Sequence, residues 1–250
     1  MIQFDSIEDL WDYLSRSPES TLEEPYAVKL DIDDTADLVE LNRMLWGADQ
    51  YVNLDLSGST VTEIPNNAFL NMEVGCGNPY ITSVTLPDSI TRIGEQAFYE
   101  CEKLTDITIP DSVTSIGIGA FSNCTSLESM TIPDGVARIE TETFHNCKRL
   151  KSISIGDSVA SIGRVAFWGC ENLESIALPD SITSIGERAF EYCTSLTSVT
   201  FLGTIDSGGL DDSAFYSLGD LRDKYLENGS GTYTRERGSN DWNPPRGQGA

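Results

Sequence analysis

Residues 97–116 read AFYECEKLTDITIPDSVTSI, and this stretch decides the fold because its pattern returns along the chain at a constant spacing. Five cysteines recur every 23 residues, and a phenylalanine precedes each of them by three residues. These cysteines are Cys101, Cys124, Cys147, Cys170 and Cys193. Self-similarity at a period of about 20 to 50 residues is typical of a solenoid, in which one short supersecondary unit stacks on the next.

Each unit predicts one turn of the solenoid. Residues 104–109 place apolar side chains at alternating positions, as on a short strand with one buried face. Pro110-Asp111 predicts a turn, and residues 113–116 predict a second, shorter edge. Gly117 permits a corner where a side chain would crowd the backbone. Apolar residues spaced by three to four between 119 and 127 predict a short helical or 3₁₀ turn that closes the coil.

The recurring cysteines are predicted to be buried and reduced. They share one position in stacked coils, beside the phenylalanine and leucine columns, where a thiol acts as a small apolar group. Neighbours in the stack would lie about 4.8 Å apart with parallel Cβ vectors, a geometry unsuited to a disulfide. Cys76 lies in an insertion after Phe69, where Met72 is expected to take the ladder position. Cys76 itself is either an exposed thiol or a packed loop residue.

Residues 1–50 look unlike the repeats and are predicted to form an N-terminal cap of two helices and a strand. Ser6 precedes an amphipathic run over 7–14, which indicates the start of a helix. Residues 26–32 alternate like a strand, and residues 37–46 predict the second helix.

The solenoid is predicted over residues 51–220, with five regular coils within 81–201 and a degenerate coil at each end. Residues 221–250 are predicted to form a C-terminal cap and a flexible tail. The tail begins near Asn228, where Gly, Ser, Thr, Asn and Pro become frequent, and its last residues are expected to be mobile.

The units from Ile81 to Phe201, Ala-Phe-x-x-Cys-x-x-Leu-x-x-Ile-x-Ile-Pro-Asp-x-Val-x-x-Ile, resemble those of BspA-like leucine-rich repeat proteins, also described from treponemes. The resemblance implies a β-rich (α+β) solenoid: a right-handed leucine-rich repeat superhelix of 23-residue coils with helical N- and C-terminal caps. Residues 25–30 and 221–226 are similar to segments that border such arrays. The family further implies a bacterial surface or secreted protein that adheres to host matrix proteins or to other bacteria.

The charge of the chain argues against two classes of partner. It carries 40 acidic and 16 basic residues, a formal net charge of −24, and none of its segments is basic. Because nucleic acids and anionic membranes attract Lys and Arg, neither is an expected partner. The acidity is interpreted first as keeping a long β-structure in solution, and second as a surface for cationic ligands. No run of 18 apolar residues predicts membrane insertion, and a monomer is expected.

The residue types offer little material for catalysis or for a cofactor. His145 is the single histidine and is expected to point to solvent, away from Cys147. No catalytic residue, cofactor or metal site is therefore predicted. One alternative is an acidic column that could attract calcium, although Pro-Asp turns need no metal. Its members are Asp88, Asp111, Asp134, Asp157 and Asp180.

Candidate binding residues are those that differ between coils, because positions fixed by packing stay the same. Two adjacent columns vary between the phenylalanine and the cysteine: Tyr99, Ser122, His145, Trp168 and Glu191, then Glu100, Asn123, Asn146, Gly169 and Tyr192. The partner-binding candidates there are Tyr99, Glu100, His145, Trp168 and Tyr192. The outer strand face adds a charged column, Glu128, Lys151 and Glu174. The alternative is that these positions vary because nothing constrains them.

These observations favour a non-enzymatic protein-binding module, a bacterial cell-surface or secreted adhesin whose partner is a host matrix or bacterial surface protein. The alternative is a cytoplasmic or structural repeat scaffold with no host-binding role. The first residues lack the basic and apolar regions of a signal peptide, so a cytoplasmic location is the alternative to export.

Overall fold

Short strands make up most of the secondary structure, and helices lie near both ends of the chain. The computed structural model describes residues 1–245. In chain order its elements are β1 (Ile2–Phe4), α1 (Ile7–Arg16), β2 (Tyr26–Leu30), α2 (Thr35–Ala48), β3 (Val52–Asp55), β4 (Glu63–Ile64), β5 (Leu70–Asn71), β6 (Cys76–Gly77), β7 (Ile81–Thr85), β8 (Arg92–Ile93), β9 (Asp106–Thr108), β10 (Ser115–Ile116), β11 (Ser129–Ile132), β12 (Arg138–Ile139), β13 (Ser152–Ile155), β14 (Ser161–Ile162), β15 (Ser175–Leu178), β16 (Ser184–Ile185), β17 (Ser198–Phe201), α3 (Leu221–Asn228) and β18 (Gly231–Thr234).

The N-terminal residues extend the sheet of the first coils. Strands β1, β2, β3, β7 and β9 form one parallel sheet in that order. Helix α1 begins after Ser6, whose hydroxyl accepts the backbone N–H of Asp9 at 3.1 Å, as the sequence indicates. Strand β1 is absent from the sequence prediction because its three residues are mostly exposed and give no alternating pattern.

Positions 23 residues apart pair across neighbouring coils. Ser129 of β11 pairs with Ser152 of β13 in parallel register, and β15 pairs with β17 in the same way. The short strands pair along the second edge of the coils, β4, β8 and β10 in one parallel sheet and β12, β14 and β16 in another. Between the β11–β13 and β15–β17 sheets the backbone contacts continue, since the N–H of Glu174 donates to the carbonyl of Lys151 at 3.3 Å. Each coil is therefore hydrogen-bonded to the next along two edges.

A column of phenylalanine rings runs through the core. Successive rings are nearly parallel, with interplanar angles of 2–20° and centroid separations of 5.0–5.7 Å. Its members are Phe69, Phe98, Phe121, Phe144, Phe167, Phe190 and Phe215, all buried. The predicted column is confirmed and extends by one ring at each end.

The five regular cysteines are fully buried beside this column, as predicted. From the second onward, each thiol donates to the carbonyl of the phenylalanine 26 residues earlier. Cys124 Sγ lies 3.1 Å from the oxygen of Phe98, and Cys147 Sγ lies 3.2 Å from that of Phe121. Burial raises the pKa of all five thiols, that of Cys101 to about 12. Because the thiolate is the reactive form, these cysteines act as packing elements.

The first coil corrects the prediction for Met72. Strands β5 and β6 form an antiparallel hairpin that leaves Met72 72% exposed. Asn78, 23 residues before Cys101, is fully buried and takes the ladder position instead. The reason is that the hairpin loops out between Phe69 and Asn78, whose N–H donates to the Phe69 carbonyl at 2.8 Å. Cys76 is an exposed free thiol, the first of its two predicted alternatives.

Asn78 also joins the array to the N-terminal helix α2. Its Nδ2 donates to Oδ1 of Asn42 at 2.9 Å, and its Oδ1 accepts the backbone N–H of Tyr80 at 2.9 Å. Asn42 is 5% exposed and donates its own Nδ2 to the carbonyl of Leu70 at 3.2 Å. Two buried amides therefore tie α2 to the first coil.

The segment that closes each coil is a run of turns whose bonds have the 3₁₀ spacing, as from the Ser122 N–H to the Gly119 carbonyl at 3.0 Å. Of the two predicted alternatives, the helical one is therefore wrong. Two residues of each corner have positive φ, for example Gln96 at 52° and Glu100 at 53°. The N–H of Gln96 donates to the carbonyl of Ile118 at 2.9 Å, and the N–H of Phe98 to that of Ala120 at 2.8 Å. The intervening N–H groups bond within the coil, for example that of Tyr99 to the Gln96 carbonyl at 3.1 Å. The corner therefore bonds alternately to the next coil and to itself.

Residues after Asn228 form a strand and a clamp in place of the predicted flexible tail. Strand β18 pairs antiparallel with β17, and Tyr233 on it is fully buried. Arg235 is buried, donates from Nε to a backbone carbonyl of the last regular coil at 2.7 Å, and lies 5.0 Å from the ring centroid of Trp242. Tyr233, Arg235 and Trp242 are all buried. The mostly polar composition of the segment gives no sign of this packing. The predicted mobile end falls on residues 246–250, outside the described residues.

Candidate binding surfaces

The first variable column is packed more tightly than its sequence variation indicates. Ser122 and Glu191 are buried, at 2% and 4% exposure, and Tyr99, His145 and Trp168 are half-buried. His145 was expected to point to solvent, and its side chain is in fact partly covered by the neighbouring coils. The residue type at these positions therefore depends partly on packing against the neighbouring coils, and not only on exposure to solvent.

An aromatic cluster occupies the centre of this column. The rings of His145 and Trp168 stack at 4.7 Å with an interplanar angle of 7°, and Tyr192 meets Trp168 edge-on at 5.0 Å. The indole N–H of Trp168 donates to Glu191 Oε2 at 3.2 Å. Burial lowers the pKa of His145, an effect that Glu142 partly opposes. The Trp168 ring is therefore held between His145 and Tyr192 and by its hydrogen bond to Glu191.

The second variable column is constrained by the backbone. Every member has positive φ, between 53° and 72°, which Asn and Gly adopt most easily. The members are Glu100, Asn123, Asn146, Gly169 and Tyr192. Asn146 Nδ2 donates to Asn123 Oδ1 at 3.0 Å, so adjacent members also bind one another. Tyr192 is 47% exposed and offers the largest free surface of this column.

The structure adds Tyr216, which the sequence reasoning missed. Phe215 stacks on Phe190 at 5.2 Å and so occupies the next phenylalanine position, which places Tyr216 directly after it in the variable column. Tyr216 is 70% exposed. The Ala-Phe pair before it was a usable signal, but it arrives two residues late relative to the 23-residue register. We call His145, Trp168 and Tyr216 of the first variable column, together with the adjacent Tyr192 of the second, the aromatic column.

The charged column lies on exposed positions just before the long strands. Lys151 Nζ is 2.8 Å from Glu128 Oε2, and both side chains are about half exposed. The hydrogen bond from Lys151 lowers the pKa of Glu128. Glu174 is exposed in the next coil. Because Lys151 and Glu128 neutralise each other, the column presents less charge than its sequence indicates.

The positions of His145 and Cys147 do not favour catalysis by this pair. The Cys147 thiol is directed into the core, whereas the ring of its neighbour His145 stacks on Trp168. Within residues 1–245, no group of three or more His, Cys, Asp or Glu side chains is arranged to hold a metal ion. The same described residues contain no helix with the length and apolarity needed to cross a bilayer.

The stacked strand-and-turn coils with leucine and phenylalanine columns define the class as a leucine-rich repeat protein. The sequence profile of the BspA type leucine rich repeat region matches residues 62–197 and 114–233, in six copies. Since this match covers more than half of the chain, the protein belongs to that family, as the repeat pattern predicted. Leucine-rich repeat proteins generally mediate protein–protein interactions.

Solved structures with similar sequences include other bacterial repeat proteins. A leucine rich cell surface protein from Faecalibacterium prausnitzii is 31% identical, with coverage of 57% of this chain and 43% of that one and a TM-score of 0.43. The leucine-rich repeat protein of T. pallidum is 29% identical over 60% of this chain and 59% of that one, with a TM-score of 0.40. The pneumococcal vaccine antigen PcpA is 29% identical over 60% of this chain and 37% of that one, with a TM-score of 0.49. The matched regions thus span less than two thirds of each of these proteins. No curated protein matches the chain.

Proposed function

We propose that the chain is a non-enzymatic protein-binding module of a bacterial cell-surface or secreted protein, acting as an adhesin towards a host matrix protein or a bacterial surface protein. The observation that carries this proposal is the aromatic column. Tyr192 and Tyr216 are exposed, and Trp168 is held rigid beside Tyr192. Tyr and Trp are enriched at interfaces because they bury a large area at a small entropic cost.

The proposal includes the finer architecture. It takes the array as a right-handed superhelix of 23-residue coils, closed by helical caps at both ends and acting as a monomer. Residues 1–50 are the N-terminal cap, residues 51–220 the solenoid and residues 221–250 the C-terminal cap region. A solenoid presents side chains of successive coils in rows, which suits an extended partner surface.

The proposed contact residues fall in two groups. Beside the aromatic column, which includes His145, Tyr99 and Glu100 lie two coils before His145 and would form the rim of the interface. Glu128, Lys151 and Glu174 would form a second, polar contact on the strand face, where an exposed ion pair tunes specificity more than affinity. Nucleic acids are not proposed as partners, because the net charge of −24 repels phosphate.

The proposal is tested by binding to immobilised host matrix proteins and to bacterial cells. The variant Tyr192→Ala/Tyr216→Ala removes the two exposed rings and should leave folding intact, since both side chains face solvent. We expect it to bind at least about tenfold more weakly, as for loss of aromatic anchors. The matched control is Leu202→Ala/Leu226→Ala, which removes exposed apolar side chains elsewhere.

Equal loss of binding in both variants would show that the aromatic column is not the contact surface. Absence of binding by the unmodified chain to any matrix protein or cell would overturn the adhesin proposal and favour a structural scaffold.

A further inference from the structure

A cleft of about 970 Å³ opens in the N-terminal cap between α1, α2 and the end of β2. Apolar residues form part of its lining, among them the core residues Ile32 and Met44. Trp11 also lines the cleft and remains 38% exposed. The volume lies at the upper end of the range for ligand sites, about 300–1,000 Å³.

Gly47 fixes the position of Trp11 in this cleft. A Cβ at Gly47 would lie 3.2 Å from two carbons of the indole ring. Without that side chain, the ring packs against the backbone of α2. The cleft therefore holds an aromatic surface that is rigid and still accessible.

The rim of the cleft is strongly acidic. Seven carboxylate side chains line it, among them Glu8, Asp31 and Glu40, against the single basic residue Arg43. Arg43 Nη1 is already paired with Glu40 Oε2 at 2.9 Å. The lining therefore has a net charge of about −6 around an apolar floor, and the whole chain reinforces that potential.

We infer that this cleft binds a Lys- or Arg-rich amphipathic segment of a partner protein. Cationic heads would pair with the rim carboxylates, and aliphatic stems or apolar side chains would pack on Trp11 and Met44. A cation over an indole face is itself attracted, and long basic side chains cover apolar surface with their methylenes. A neutral apolar segment would leave the carboxylates without partners, and an acidic one would be repelled. The site is separate from the aromatic column and does not depend on the proposed adhesion.

The test uses the full chain and a fluorescein-labelled amphipathic 14-residue peptide of Lys, Leu and Ala, with fluorescence anisotropy in 100 mM NaCl. The cleft variant is Glu8→Gln/Asp31→Asn/Glu40→Gln. We expect it to bind the peptide at least about tenfold more weakly than the unmodified chain, because three close charges are lost. Trp11→Ala is expected to weaken binding about fivefold while leaving its salt dependence unchanged.

The matched control removes three carboxylates from distant coils, Asp157→Asn/Asp180→Asn/Glu236→Gln. These residues are exposed. Asp157 follows β13, five strand spacings from β2, or roughly 24 Å, compared with a Debye length of about 10 Å at 0.1 M salt. We expect the affinity of this control variant for the peptide to change less than about twofold. Equal weakening by cleft and control variants would show that the net charge alone binds the peptide, and would overturn the inference.

Two further measurements guard against a variant that fails to fold. A peptide with Glu in place of Lys should not bind the unmodified chain; binding of equal strength would refute the charge argument. A spin-labelled Lys peptide should broaden the backbone NMR signals of Ile7, Gly47 and their neighbours in the unmodified chain. Broadening centred on the solenoid instead would place the peptide elsewhere and overturn the site.

Discussion

Replacing Asn78 with cysteine, the residue that the repeat pattern favours at this position, is expected to destabilise the protein. The change removes two side-chain hydrogen bonds of 2.9 Å, one to Asn42 Oδ1 and one from the Tyr80 N–H. Each group left without a partner costs about 1–3 kcal/mol. Added apolar burial returns at most about 1 kcal/mol. The net expected loss is about 1–5 kcal/mol in the free energy of unfolding.

Equilibrium urea unfolding followed by far-UV circular dichroism measures this loss for the whole chain. A double-mutant cycle with Asn42→Ala separates the amide pair from general packing, and we expect a coupling of about 1–2 kcal/mol. An unfolding midpoint for Asn78→Cys equal to or above that of the unmodified chain would refute the role of the buried amides. It would mean that the thiol ladder simply continues into the first coil.

Three further substitutions test other parts of the fold. Phe144→Ala removes a central ring of the phenylalanine column and should cost about 3–5 kcal/mol in urea unfolding, whereas a loss below about 1 kcal/mol would contradict continuous stacking. Arg235→Ala should release β18, because the guanidinium loses its carbonyl bond and its contact with Trp242; faster amide exchange over residues 231–234 is the expected readout, and unchanged exchange would count against the clamp. Burial lowers the folded pKa of His145, so its neutral form favours folding; stability relative to His145→Gln should be full above the unfolded pKa of about 6.5 and fall as the pH drops below it, and a relative gain at pH 5 in thermal melts would contradict this sign.

The repeating core could be predicted because every coil meets the same packing constraint. Cys147, for example, has a buried counterpart 23 residues before and after it, and one spacing argument places all three. The first coil breaks that argument. The ladder position lies three residues after the phenylalanine, which selects Met72 when counted from Phe69. It also lies 23 residues before the next cysteine, which selects Asn78 when counted back from Cys101. Only the folded chain shows that the hairpin loops out and that the second count is correct.

The sequence identified which residues vary between coils, but it did not predict how far each of them is exposed. Trp168 varies between coils, yet its ring is covered by His145 and bound by Glu191. A single sequence does not separate variation at a free surface from variation matched between neighbouring coils. The left-handed backbone had a readable signal, since Asn123, Asn146 and Gly169 precede three successive cysteines. The clamp near the C-terminus is harder to predict, because two aromatic residues lie in a segment with the composition of a linker.

The antiparallel strand β18 limits how this protein can change in length over evolution. A new coil needs a parallel neighbour on each side, and the edge of β17 is already occupied by a strand of opposite direction. A duplicated 23-residue unit can therefore be inserted inside the array, where it has a parallel neighbour on each side. It cannot be added after β17 unless residues 229–245 are displaced. We expect relatives with more coils to differ by internal duplications and to keep a closing strand of this polarity.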